Sequence, residues 1–563
     1  VNSPRVSEAR ITHEVFNQPP PLTGYNLYLA DATLMEVVRR EEAGWADGRL
    51  RELGRRLGTE EVQRWGFEAN ESEPVLRTHD RFGNRRDEIE FHPSWHNLMR
   101  TSIENGLHSL PWAELRTGAN VARAAMLLLT TQNEAGHTCP VSMTFAAVAA
   151  LRVEPALAAE WEPRILATSY DPRFRPVTEK SGALIGMGMT EKQGGSDVRA
   201  NTTRAERIGN SREYLISGHK WFCSAPMCDA FLILAQAPKG LSCFLLPRWT
   251  PAGERNAFHL QRLKPKMGNR SNASSEVEFA GAWASLVGEE GRGVHTIIEM
   301  VNCTRLDCAV GAAGLMRAAV VQAVHHARHR MAFGKRLIEQ PLMQNVLADL
   351  IVESEAATLL ALRLASSFDL KHSSEEERRF ARIATAISKY WLSKRAISHV
   401  GEALECLGGN GYVEESIMPR LYREAPLYSI WEGSGNVICL DVLRAFAKEP
   451  GTLDTLVREI RLGAPGVPRF KDFIEGVEGS LRKHARQMTE GRGSESEKEA
   501  RRLTENAAVA LQASLLLRYG PPAVAEAFCA TRIGGDGGHT YGTLPAELAF
   551  EQIVARASAN LPT

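Results

Sequence analysis

The sequence predicts an α+β multidomain protein with four units: an N-terminal helical domain, a central antiparallel β-barrel or sandwich, a helical bundle, and an added C-terminal helical domain. Three observations predict it. The 563 residues exceed what one ordinary core fills, so three or four packed units are expected. The residue pattern switches from helical spacing to short β-rich runs near Gly182 and back again near Gly293. A break rich in Gly and Pro at 463–468, preceded by Gly451, then separates a last segment of about 100 residues.

Each unit has its own signature. Residues 95–165 are rich in Ala, Leu, Met and Arg, as in Val121-Ala122-Arg123-Ala124-Ala125-Met126-Leu127-Leu128-Leu129, and read as helices. Runs at 213–217, 231–236, 242–246 and 276–279, separated by Gly, Pro, Asn and Ser, read as strands. From 293 to 447 helix formers return, and Leu342, Val346 and Leu350 at four-residue spacing suggest an apolar packing stripe. The last segment reads as helical, interrupted by the polar stretch 487–498, with Gly491–Ser496 as an exposed loop. Boundaries are expected at 184/185, 288/289 and 449/450.

Lys plus Arg and Asp plus Glu number 67 each, so no global field draws the chain to nucleic acid or anionic lipid. The nine cysteines are scattered with no C-x-x-C pair, which indicates neither a disulfide framework nor a zinc site. No apolar run approaches the roughly 20 residues of a membrane helix, and the N-terminus lacks a signal pattern. A cytoplasmic protein is expected.

Several motifs carry chemistry. Gly186-Met187-Gly188-Met189-Thr190-Glu191 has Glu where a dinucleotide fingerprint needs its third glycine, and no strand–helix unit carries it. It continues as Lys192-Gln193-Gly194-Gly195-Ser196-Asp197. In His219-Lys220-Trp221-Phe222-Cys223-Ser224, an aromatic pair suits a flat apolar ring face and Ser224 a ring oxygen. Arg330, followed by Phe333-Gly334, has the planar fork that holds a diphosphate. His325, His326 and His329 include a pair at i, i+4, but no Cys, Asp or Glu completes a metal set. Leu407-Gly408-Gly409-Asn410 offers backbone amides to phosphate. Glu432 lies between Trp431 and Gly433-Ser434-Gly435-Asn436.

Together these motifs resemble the acyl-CoA dehydrogenase flavoproteins. In that resemblance Glu432 is the base that removes a proton beside a thioester carbonyl. Thr304, at the position used for the base by branched-chain members, carries no carboxylate. The resemblance implies FAD held by Met187, Met189, Thr190, Gly195, Ser196, Trp221, Phe222, Ser224, Ile430, Trp431, Gly433, Ser434 and Asn436. It implies that Arg330, Phe333 and Gln344, with Gly408 and Gly409, hold the adenosine diphosphate half of an FAD whose flavin sits in a neighbouring subunit of a homotetramer. Arg305 matches a position that assists acyl-CoA binding. Glu405 stands where the family commonly has Gln.

Phe91-His92-Pro93-Ser94-Trp95-His96 and Lys266-Met267-Gly268-Asn269-Arg270-Ser271-Asn272-Ala273-Ser274, with the segment around Val15–Leu22, resemble the AidB type within this family, from the bacterial adaptive response to alkylation. That resemblance implies weak acyl-CoA dehydrogenase activity, binding of double-stranded DNA through the added C-terminal domain, and protection of DNA from alkylation. Residues 445–563 contain 15 basic and 15 acidic side chains, so the tail is not basic overall. Candidate DNA contacts are Arg444, Arg482, Lys483, Arg486, Arg501 and Arg502, with His484, Arg492 and Lys498 beside them; a solvated face of mixed charge is the other reading. A metabolic acyl-CoA dehydrogenase or an acyl-CoA oxidase stays open, although the Asn560-Leu561-Pro562-Thr563 end is no peroxisomal address.

Overall fold

The computed structural model describes residues 13–449 and 451–562. Residues 1–12, on which the reading of the N-terminus partly rests, and the final Thr563 lie outside them. Two of the N-terminal helices begin at hydroxyl or carboxylate side-chain caps: Asp31 accepts from the Leu34 amide ahead of Ala32–Arg40, and Thr59 from Val62 ahead of Glu60–Glu71. Ala119–Asn133 and Thr138–Leu151 are apolar nearly all round and lie buried. One feature of this region was not read from the sequence. A hairpin, β1 (Val75–His79) and β2 (Arg85–Glu90), is rich in charge, and Arg85 and Asp87 hydrogen-bond Leu260 in the next unit.

The middle unit contains β3 (Ile185–Gly188), β4 (Arg204–Arg207), β5 (Glu213–Ser224), β6 (Ala230–Ala237), β7 (Gly240–Pro247), β8 (Phe258–Leu263) and β9 (Ser274–Val287). The ring β4-β5-β9-β7-β6 closes on itself because β6 pairs with both β7 and β4, and closure removes free edges. Most ladders are antiparallel as expected, but β3 and β4 both run parallel to β6 along one edge. β6 is a continuous apolar run with no alternation, because it is covered on both faces.

The bundle is built from Gly293–His329, Pro341–Leu370, Glu375–Glu405, Met418–Tyr428 and Gly435–Lys448. Gly293–His329 is long and apolar enough to cross a membrane, contrary to the expectation that no such run exists, but 94% of its apolar window is buried inside the fold. It is a core helix. The Leu342 stripe is also corrected: Leu342 lies in the first turn and is 85% exposed, while burial starts at Leu347.

The tail adds Thr452–Arg461, Pro468–Thr489, Gly493–Tyr519, Pro522–Phe528 and Phe550–Ser558. The expected loop at 491–496 shrinks to a turn, since a helix starts at Gly493 and Ser496 is buried against His484. All nine cysteines are unpaired, and eight are buried.

Candidate active site

A cavity of about 540 Å³ opens between the barrel, the N-terminal helices and the bundle, within the range of small-molecule sites. Its barrel wall is the loop after β3. Glu191 is fully buried there, with an ion pair to Lys220 at 2.8 Å and bonds from the backbone amides of Thr202 and Thr203. That anchor explains a charged residue in the motif: although burial opposes the charge, Lys220 and the threonine donors hold its carboxyl well below the usual range. Asn201 binds the Met189 carbonyl and the Trp221 amide binds the Thr190 carbonyl, which fixes the backbone at Thr190. A Cβ on Gly195 would stand 2.3 Å from Thr190 Oγ1, so the loop folds this way only with glycine there.

The opposite wall is the turn after Met418–Tyr428. Glu432 has φ 57° and Gly433 φ 106°, so a non-glycine residue sits in the left-handed region at the candidate base. Two cations hold the turn from behind. Arg305 Nε donates to the Glu432 carbonyl at 3.0 Å, and Lys389 Nζ donates to the Gly433 carbonyl. Arg305 Nη1 in turn pairs with Asp441 at 2.9 Å, which Arg382 also binds. Trp431 packs edge-on against Tyr428, with ring centroids 5.7 Å apart.

Glu432 is half-buried and lines the cavity, and its Oε2 is sealed from solvent without a hydrogen-bond partner. Burial pushes its carboxyl above the ordinary range, against the pull of the Thr304 hydroxyl, Arg305 and Lys389. Burial also lowers the Lys389 ammonium to about 8.

The cavity gathers most of the expected residues: Met187, Met189, Thr190, Gly195, Ser196, Phe222, Ser224, Ile430, Trp431, Glu432, Gly433 and Ser434, with Arg305. Trp221 stands outside it under Lys264, whose Nζ is 3.4 Å from the ring centroid. Asn436 also stands outside, its Oδ1 accepting from Arg501 Nε at 2.9 Å. Arg305, expected to assist the ligand, has two of its nitrogens committed to Glu432 and Asp441, so its visible work is to shape the turn.

Arg330, Phe333, Gln344, Gly408 and Gly409 do not line this cavity. They share another surface instead. Arg330 and Asn17 bond each other's segments, Asn17 also holding Met331, while Gln18 accepts from Asn410 beside Gly408 and Gly409. Phe333 is 98% exposed at the tip of the Met331–Ala332 and Lys335–Arg336 hairpin, and Phe16, Leu342 and Tyr412 are also exposed. Glu405 is exposed.

Sequence reading missed Cys139, Lys266, Asn269 and Lys389. The first three line the cavity. Asn269 and Lys266 lie in the quoted 266–274 loop, where their polarity beside apolar neighbours was the available signal. Lys389 sits on the buried face of its helix, a position that periodicity marks as unusual for a cation. Among the described residues no cluster of three His, Cys, Asp or Glu could hold a metal. His325 and His329 instead bond the carbonyls of Pro20 and of His325.

The tail cations divide. Arg482, Arg492 and Arg502 pair with neighbouring carboxylates, His484 is buried, and Arg501 turns to Asn436. Arg444, Lys483 and Arg486 are exposed, and their side chains make no hydrogen bond or ion pair among the described residues.

A strained carboxylate in a cavity between a barrel and a helical bundle defines a class. The chain belongs to the acyl-CoA dehydrogenase family of oxidoreductases, which act on CH–CH groups. It matches the acyl-CoA dehydrogenase middle domain over residues 186–282 and the C-terminal domain over 291–447. Within the family it is of the AidB type: residues 17–172 match the adaptive response protein AidB N-terminal domain. The chain is 46% identical to putative acyl-CoA dehydrogenase AidB of Escherichia coli over 94% of its own length and 95% of that protein's. It is 32% identical to acyl-CoA dehydrogenase family member 11 of Caenorhabditis elegans, over 83% and 78% of the two chains. The crystal structure of Caenorhabditis elegans ACDH-11 in complex with C11-CoA superposes with a TM-score of 0.84 at 28% identity, covering 99% of each chain.

Proposed function

We propose that the protein is an FAD-dependent acyl-CoA dehydrogenase-like flavoprotein of the AidB type, in which Glu432 is the base. The observation that carries this is Glu432 itself: a carboxylate that lines a ligand-sized cavity from a strained turn, with one oxygen buried and without a partner. Its raised affinity for a proton suits general-base work near neutral pH. The cavity fits a flavin in its chemistry, with Met187, Met189, Phe222 and Trp431 as apolar surface and Thr190, Ser196 and Ser224 as hydrogen-bonding groups. FAD, when bound there, supplies two-electron acceptance.

Glu432 takes the proton from the carbon next to a thioester carbonyl. Arg305 and Lys389 keep that carboxyl in place through the two carbonyls they hold. Their positive charge also limits how far burial raises it. The relative solved with C11-CoA supports an acyl-CoA ligand.

The Arg330, Phe333, Gln344 and Gly408–Gly409 surface, with its exposed aromatic residues, is proposed as the face on which a second copy completes the cofactor site within a homotetramer. The four-part division at 184, 288 and 449 and a cytoplasmic location complete the reading. The test is an anaerobic titration of the FAD-loaded protein with acyl-CoAs of increasing chain length. Bleaching of the flavin band in the native protein and its loss in Glu432→Gln are expected; a flavin that no acyl-CoA reduces overturns the reading.

A role with DNA has one observation in its favour. Arg444, Lys483 and Arg486 are unpaired cations on helices Gly435–Lys448 and Pro468–Thr489, which pack together. We propose that they contact duplex phosphates as part of protection from alkylation. Neutralising all three is expected to weaken binding of labelled duplex and flatten its salt dependence by about three counterions. Unchanged binding overturns that site, and absence of binding by the native protein at low salt leaves the metabolic dehydrogenase.

A further inference from the structure

Three helices meet behind the Glu432 turn, and one belongs to the tail. Lys389, on Glu375–Glu405, holds the Gly433 carbonyl. Asn436 lies in the first turn of Gly435–Lys448, directly after the base turn. The tail helix Gly493–Tyr519 packs on both. Trp391 Nε1, two residues beyond Lys389, donates to Gln512 Oε1 at 2.7 Å in a buried contact. Thr504 lies against Cys439, and Arg501 Nε donates to Asn436 Oδ1 at 2.9 Å. The joint is close: a Cβ on Gly435 would stand 3.2 Å from Lys394 Cε, 3.3 Å from Tyr390 Cε2 and 3.6 Å from Arg501 Nη2.

A non-glycine residue at φ 57° persists only where its surroundings over-determine it. Arg305 and Lys389 hold the turn at its carbonyls, and Arg305 also holds the middle of the following helix at Asp441, but neither bonds Asn436 in the first turn of that helix. The side-chain bond there comes from the tail. We propose that the added C-terminal domain is a working part of the base site, with Arg501 as a positioning residue that acts through Asn436 on the turn Glu432–Ser434. In the sequence Arg501 is a candidate for a DNA-facing stripe or a solvated face of mixed charge; its bond to Asn436 gives it a different task. The tail is therefore not a detachable module, because removing it would uncover Trp391 and free the first turn of Gly435–Lys448. This inference rests on the flavin reading above.

The test uses the full chain loaded with FAD, and compares Arg501→Ala, Arg501→Lys, Asn436→Ala and, as a surface control, Arg469→Ala. Two properties are read that need bound FAD but no substrate: the FAD dissociation constant, and the pH midpoint of the flavin absorption shift as Glu432 titrates. Loss of a charge-assisted hydrogen bond corresponds to roughly a five-fold change in a binding constant. Arg501→Ala and Asn436→Ala are expected to weaken FAD by about that factor and to move the midpoint, with the thermal unfolding midpoint unchanged. Arg501→Lys is expected to recover part of both, and Arg469→Ala to change neither. An FAD affinity and a pH midpoint in Arg501→Ala equal to the native values overturn the proposal. If Arg501→Ala does not fold, native-like values in Arg501→Lys and Asn436→Ala together overturn it. A native protein that takes up FAD but is reduced by no acyl-CoA overturns the flavin-dehydrogenase reading and leaves these two comparisons legible.

Discussion

Glu134 and Glu432 are two carboxylates of one fold with opposite proton affinities. Glu134 is fully buried and accepts from Asn70, Ser271, the amides of Gly136 and His137, and the His137 ring, at 2.7–3.0 Å. Burial alone would push it up, but the hydrogen bonds and charge of His137 hold it down to about 2. Glu432 has an oxygen with no partner, and burial wins. Glu424 is raised as well: Asn269 donates to it twice, yet burial and then the like charge of Glu134 push it up to about 7. A saturated donor shell makes a carboxylate structural, and an incomplete one leaves it able to take a proton. Glu134 and Glu424 are buried and Glu432 is half-buried, and the donors and charges around each carboxyl separate them.

The sharpest break of this comparison is Glu432→Gln. Flavin reduction by an acyl-CoA is expected to slow by about a hundred- to ten-thousand-fold, the usual worth of a general base. Stopped-flow absorbance would show it, while the unfolding midpoint stays near the native value. A rate within a few-fold of native would remove Glu432 from the chemistry.

Next in size is Glu134→Ala, which strands five donors in the interior. It is expected to cost about 3–5 kcal/mol in urea unfolding. A midpoint equal to the native one would mean that the donor shell is not what holds Glu134.

The smallest effect expected is in Glu424→Gln. A carboxyl raised in the folded state contributes its full share of stability below the unfolded value of 4.5, and that share is lost as pH rises to about 7. The native protein should therefore lose stability relative to Glu424→Gln between pH 4.5 and 7, by about 3 kcal/mol. The gap should then stay constant above pH 7. Urea unfolding at pH 5 and pH 8 reads the difference, and equal gaps at the two pH values would contradict the raised carboxyl.

Hydrophobic period and turn residues alone determined the order of helical, β and helical units, because both are local properties of a chain. The 186–196, 221–224 and 430–434 stretches were legible through their resemblance to the acyl-CoA dehydrogenases, whose motifs are contiguous, and most of their residues meet at the cavity. The β1–β2 hairpin was not legible, since its strands are charged and gain their place through Leu260, far along the chain. Nor were the parallel pairings of β3 and β4 with β6, which depend on distant register. The Gly293–His329 helix shows the same limit from the other side, because its apolar run reads alike in a membrane and in a core, and only the helices packed around it decide.

By composition Glu432 is a carboxylate among small residues, and the family resemblance marks it as the base. Whether it would resemble Glu134 or differ from it was decided by distant segments: Arg305 and Lys389 fix the main-chain carbonyls of Glu432 and Gly433, and one carboxyl oxygen is left without a partner. Arg501 carried only a charge in the sequence, and in the fold this exposed side chain bonds Asn436 next to the base turn. The physical reason is common to these cases: composition fixes what a side chain can donate or accept, but burial and partners exist only once distant segments have met.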